Sequence, residues 1–149
     1  MTFAATRSYG ILLVEDDAAD AMLIQDALLE RPTEHVVTQV EDGVAALAHL
    51  NDPGLAHPDL IVMDLNMPRM NGRELLAVLK ADQALKSIPV VVLTTSAAPD
   101  DVSAAYEGYA NAYITKPVNL DDFVSAVQSI DTFFLDTATR VPRAGKETF

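Results

Sequence analysis

The 149-residue chain has no cysteine. That absence excludes a disulfide framework, a thiolate metal site and a thiol nucleophile, and it fits a reducing compartment. Positive charge is scarce: 10 Lys and Arg stand against 22 Asp and Glu, for a net charge of −12. So acidic a surface speaks against binding a phosphate backbone, and no nucleic-acid partner is expected. Long apolar runs are missing as well. Residues 1–9 lack the apolar stretch of a signal peptide, and no run approaches the roughly 20 residues of a membrane span. The expectation is a soluble, cytoplasmic chain with no membrane partner. No G-x-G-x-x-G or P-loop follows the first apolar run, which disfavours a nucleotide or flavin carrier.

What is present is a globular composition, 50% hydrophobic and 21% charged, of a length that suits one domain. Short apolar runs alternate with amphipathic stretches. Strands are predicted at Ile11–Val14, Val36–Val40, Leu60–Met63, Val90–Leu93 and Ala112–Thr115, the second of them at a sheet edge. A helix over 18–30 turns Leu23, Ile24, Ala27 and Leu28 inward and stops at Pro32, while Met22 and Leu29 lie off that stripe. A short helix after Asp42-Gly43 carries Val44, Leu47 and Leu50, and one over 72–81 carries Leu75, Leu76 and Leu79. A helix over 99–109 presents Val102, Ala105, Tyr106 and Tyr109. The last, capped by Asn119, presents Leu120, Phe123, Val124, Val127 and Ile130. This alternation predicts an α/β three-layer sandwich on a parallel sheet with right-handed crossovers. Residues 1–9 read as a flexible lead-in, 10–136 as the domain and 137–149 as a flexible polar tail.

Four strands end in chemistry. Ile11–Val14 runs into Glu15-Asp16-Asp17, Leu60–Met63 into Asp64, Val90–Leu93 into Thr94-Thr95-Ser96, and Ala112–Thr115 into Lys116-Pro117. Parallel α/β sheets bind ligands outside the carboxyl ends of their strands, so these groups should surround one small volume. Any one of them could be a helix cap or a loop residue; together they describe a site. Clustered carboxylates repel unless a cation compensates, and hard oxygen donors without His or Cys suit Mg²⁺ or Mn²⁺. Such a site can carry a phosphoryl group on an Asp, its oxygens neutralised by metal, Lys and Thr.

An acidic pair after the first strand, an Asp ending the third before x-x-M-P-x-M-x-G, a Thr and a Lys-Pro make a specific set. Here they are Glu15-Asp16, Asp64 with Met67-Pro68-Arg69-Met70-Asn71-Gly72, Thr94 and Lys116-Pro117. Over residues 10–130 the chain resembles a two-component response-regulator receiver domain. Leu-Thr-Thr-Ser at 93–96, the 51–58 loop and the extended last helix are similar to single-domain receivers associated with phytochrome-type kinases. The resemblance implies a five-stranded sheet in the order 2-1-3-4-5, the flavodoxin-like arrangement. It implies a phosphoacceptor at Asp64, with Asp16, Glu15 and the Asn66 carbonyl serving Mg²⁺ (or Mn²⁺). Lys116 and Thr94 would hold the phosphate, through a Lys116–Pro117 bond that is cis in the family. Tyr113 would be the aromatic switch. Thr95 departs from the usual Ala or Gly and bears on access to the phosphate.

A sensor histidine kinase, phytochrome-type by the same likeness, would dock on Ala19, Met22, Leu23 and Pro117. With no output domain in view, the message should leave by protein contact. A homodimer is expected through the fourth helix, fifth strand and last helix, because Phe133, Phe134 and Leu135 are adjacent and one helix face cannot bury all three; Tyr106 and Tyr109 would add to it. The rival reading is an aspartate-nucleophile phosphatase, which needs D-x-D where Asp64-Leu65-Asn66 has an amide. Asn cannot act as general acid, so the chain is expected not to be a turnover enzyme.

Overall fold

The structure is a computed structural model that describes residues 9–29 and 35–137. The expected lead-in over 1–9 is corrected at Tyr9, which is buried and opens the first strand. The expected tail over 137–149 is corrected at Thr137, which ends a π-helical stretch. Residues 1–8, the stop at Pro32 and residues 138–149 lie outside the described residues, as do the side chains of Leu29 and Leu135. Five strands alternate with five helices: β1 (Tyr9–Val14), α1 (Ala18–Leu29), β2 (His35–Val40), α2 (Gly43–Leu50), β3 (Leu60–Met63), α3 (Gly72–Ala81), β4 (Val90–Thr94), α4 (Pro99–Glu107), β5 (Ala112–Thr115) and α5 (Leu120–Asp131). A π-helical stretch, Thr132–Thr137, prolongs the last helix. All strand pairings are parallel and the order is β2-β1-β3-β4-β5.

Strand alternation builds two cores at once. Ile11 and Leu13 face one layer with Ile24 and Leu28 of α1 and Phe123, Val127 and Ile130 of α5. Leu12 and Val14 face the other, with Ala46 and Leu50 of α2, Leu75, Leu76 and Leu79 of α3 and Ala105 of α4. Every residue of β3 and β4 is buried, which is why they read as unbroken apolar runs. Each buried Leu of α3 contributes about 1.5–3 kcal/mol over leaving it in water. Asn71 and Glu74 close a capping box that fixes where α3 starts, and therefore the length of the loop after Asp64.

Several inward faces differ from expectation. On α1, Ala21 is buried and Leu23 only partly, while Met22 is 65% exposed as expected. On α2, Val44 is exposed and Ala46 takes its place. Leu120 opens α5 at its first turn, before the helix lies on the sheet, and is exposed. The fourth helix ends at Glu107 with Gly108 as its cap, and Tyr109 has φ of 69°. Tyr109 has therefore left the helix and is 74% exposed. Tyr106 stands half out, its hydroxyl accepting from the Tyr113 backbone N–H at 3.2 Å, a donor on the edge strand β5.

Candidate functional site

The carboxyl ends of β1, β3, β4 and β5 converge because their registers are fixed by ladder bonds that continue one residue past β1, β3 and β5. Asp64 N–H donates to Val14 at 3.0 Å, Glu15 N–H to Val40 at 3.0 Å, and Lys116 N–H to Thr94 at 2.7 Å. Residues distant in sequence thus share one sheet edge. Gly72 makes the β3 end possible. A Cβ there would lie 2.4 Å from the Asp64 carbonyl oxygen and 2.8 Å from Leu65 Cα, so only glycine lets α3 start this close to the aspartate.

Asp64 is almost buried, and its Oδ1 accepts from the N–H groups of Leu65 at 2.7 Å and Asn66 at 3.3 Å. Its Oδ2 faces Lys116. The Lys116 ammonium, 4% exposed, donates to Glu15 Oε1 at 2.7 Å, Asp20 Oδ2 at 2.7 Å and Asp64 Oδ2 at 3.3 Å. Burial pushes the Glu15 carboxyl up to about 7, against the pull of Lys116. Burial works against the Lys116 charge too, but the hydrogen bonds to Asp20 and Glu15 and the charges of Glu15 and Asp64 hold the ammonium above its ordinary value. Thr94 is fully buried at the end of β4, its Oγ1 accepting weakly from Ser96 N–H at 3.5 Å.

The carboxylates of Glu15, Asp16 and Asp64 each offer an oxygen within 4.8 Å of the others. These are hard donors around a shared volume, and they fit a divalent cation of the Mg²⁺ or Mn²⁺ kind. Asn66 is exposed beside them on the loop. Tyr113 is half-buried against the core, and its hydroxyl donates to the Ser96 carbonyl at 2.7 Å, two residues beyond Thr94. The Lys116–Pro117 bond is trans, contrary to the implied cis form, as no cis peptide occurs among the described residues. Trans is the intrinsically favoured isomer by about 0.5–1 kcal/mol, and Lys116 reaches all three carboxylates from it.

The family model for the response regulator receiver domain matches residues 11–128. The chain belongs to the response regulator receiver domains. The receiver is 47% identical over 133 residues to response regulator Rcp1 of Synechocystis sp., spanning 87% of this chain and 90% of that protein. Its fold matches the crystal structure of the phosphorylated cyanobacterial phytochrome response regulator RcpA with a TM-score of 0.88 at 44% identity, covering 91% of this chain and 100% of that one. The Mn²⁺-bound form of Rcp1 matches with a TM-score of 0.86 at 45% identity, over 90% and 99% of the two chains.

The receiver brings Glu15, Asp16, Asp64, Thr94 and Lys116 to one edge. Ala19 is exposed and Leu23 partly exposed on α1. Leu23, Thr95, Lys116, Pro117, Val118 and Leu120 line a cavity of about 250 Å³ beside the site. Far from it, Phe133 is 53% exposed, whereas Phe134 packs on the core and its carbonyl accepts from the Tyr9 hydroxyl at 2.7 Å. The two rings meet edge to face at 5.0 Å. The expected three-residue patch is thus reduced to Phe133 among the described side chains. Sequence reasoning missed Asp20 as a partner of Lys116. The available signal was an acid in the first turn of the helix that follows the Glu15-Asp16 pair.

Proposed function

We propose that this receiver accepts a phosphoryl group on Asp64 from the phosphohistidine of a sensor kinase and signals by changing its protein contacts. The observation that carries the reading is the Lys116 ammonium held 3.3 Å from the one Asp64 oxygen, Oδ2, that is not occupied by loop N–H groups. In the step proposed, Oδ2 attacks phosphorus, the phosphorus–nitrogen bond breaks, and the imidazole leaves with the electron pair. Lys116 balances charge growing on the phosphoryl oxygens. Thr94 offers its hydroxyl to the same group. Glu15, Asp16, Asp64 and the Asn66 carbonyl would hold Mg²⁺ or Mn²⁺, which when bound neutralises phosphoryl charge. Asn66 stands where a phosphatase needs a second acid, which favours a phosphoacceptor over a turnover enzyme.

The same reading includes three contacts. The kinase docks on Ala19, Met22 and Leu23 of α1 and on Pro117, where Met22 and Val118 are exposed and Val118 lines the cavity; the name of the structural relative RcpA favours a phytochrome-type kinase. Thr94 and Tyr113 relay the phosphorylated state, since a phosphate adds about −1.5 to −2 charge within reach of the Thr94–Ser96 turn that the Tyr113 hydroxyl holds. A homodimer uses Tyr106, Tyr109 and Phe133. A cytoplasmic location, read from composition, belongs to the same proposal. Intact mass after incubation with a small phosphodonor tests the core of it: one phosphoryl group should appear only with Mg²⁺ and not on Asp64→Asn. An adduct indifferent to chelator would overturn it.

A further inference from the structure

The three N–H groups of Lys116 are all engaged. The two short bonds, each 2.7 Å, go to Glu15 and Asp20, and the long one, 3.3 Å, to Asp64. Glu15 and Asp64 are also two of the three carboxylates that share the cation volume with Asp16. The ammonium and a divalent cation therefore draw on the same two acids, and two positive charges crowd one another there. Asp20 is the exception. It lies outside the trio, on the first turn of α1, and its side chain is 30% exposed against 1% for Glu15. Its backbone is fixed, because the Asp20 N–H donates to Asp17 Oδ1 at 2.9 Å.

We infer that Asp20 is a positioning residue that anchors the Lys116 ammonium on the α1 side, which keeps it from closing on Asp64 and leaves Glu15 and Asp64 able to turn to the cation. Without Asp20, an N–H freed from 2.7 Å turns to the nearest remaining anions, and these are the metal carboxylates. With Asp20, Lys116 keeps one partner when Glu15 and Asp64 turn to the cation. The inference rests on the reading of Asp64 and its neighbours as a phosphoacceptor and cation site.

The test is Mn²⁺ binding to the full chain, read as free Mn²⁺ by electron paramagnetic resonance, for wild type, Asp20→Asn and Asp20→Glu in 0.1 and 1 M KCl. Asp20→Asn should bind Mn²⁺ about 3- to 10-fold more weakly at both salt concentrations, because a contact effect escapes the screening that removes long-range attraction. Asp20→Glu should recover most of the affinity. An unchanged Asp20→Asn, a loss that vanishes in 1 M salt, or a Glu variant as weak as the Asn variant overturns the inference. If wild type binds no Mn²⁺, the cation reading falls, and the metal-free protein decides the anchor separately. The Lys116 ammonium should give a protected ¹H–¹⁵N signal that Asp20→Asn loses and Asp20→Glu restores; a signal unchanged in Asp20→Asn overturns it.

Discussion

Arg69 Nε donates to Asp42 Oδ2 at 2.6 Å, so the loop that follows Asp64 is fastened to the first turn of α2. The carboxylate is 3% exposed and its other oxygen accepts from Ala45 N–H at 2.9 Å, capping the helix. The Ala45 N–H foremost, with Arg69 adding, holds the Asp42 carboxyl below its ordinary value. The Gly43 N–H completes the fastening by donating to the Met70 carbonyl at 3.0 Å.

Arg69 also has φ of 61°, a backbone state that disfavours any side chain. Arg69→Ala should therefore cost about 1 kcal/mol in urea unfolding, since the guanidinium is 62% exposed and the ion pair is partly screened. Arg69→Gly should recover up to about 1 kcal/mol of that by relieving the left-handed strain. Equal stability of Arg69→Ala and wild type would show that the fastening contributes nothing.

Glu15 gives the metal-free protein a pH slope. Its carboxyl rises from 4.5 to about 7 on folding, so between those values the native state holds more protons than the unfolded one. Stability from this group is therefore full below about pH 4.5 and is lost as pH rises through 7, by up to about 3 kcal/mol. Thermal melts of Glu15→Gln should lack this part of the slope. Added Mg²⁺ should work in the opposite sense, raising the melting temperature more at pH 8 than at pH 5, because protons compete with metal for carboxylates. A Glu15→Gln profile parallel to wild type would contradict the assignment.

The parts of the molecule legible in the sequence are those where one signal dominates. β3 is four apolar residues ended by Asp64, and α3 has a polar surface that leaves Leu75, Leu76 and Leu79 as its only inward face. The helices α1 and α2 are apolar almost all round, so nothing local chooses Ala21 over Leu23 or Ala46 over Val44; packing against the sheet decides. Tyr109 keeps helical spacing from Tyr106, but Gly108 ends the helix between them. At the site, strand ends marked Glu15, Asp64, Thr94 and Lys116. Asp20 is not marked by a strand end, because its role depends on a lysine 96 positions away. The Asp42–Arg69 pair was hidden for the same reason.

On the last helix the dimer expectation now rests on Phe133, since Phe134 is held against the core. Sedimentation at tens of micromolar should show Phe133→Asp as a monomer beside a dimeric wild type, as burying one such ring contributes about 1.5–3 kcal/mol. Phe134→Asp should instead lower the melting temperature. A dimer untouched by Phe133→Asp would place the interface elsewhere.

The central claim is that the phosphoryl group sits on Asp64, and the most direct measurement locates it. After phosphorylation with Mg²⁺, borohydride reduces an aspartyl phosphate to homoserine, and peptide mass spectrometry reads which residue has changed. The account predicts homoserine at position 64, dependent on Mg²⁺ and depleted when Lys116 is replaced by Ala. Reduction at Asp16, Asp17 or Asp20 instead, or none at any aspartate, would contradict it.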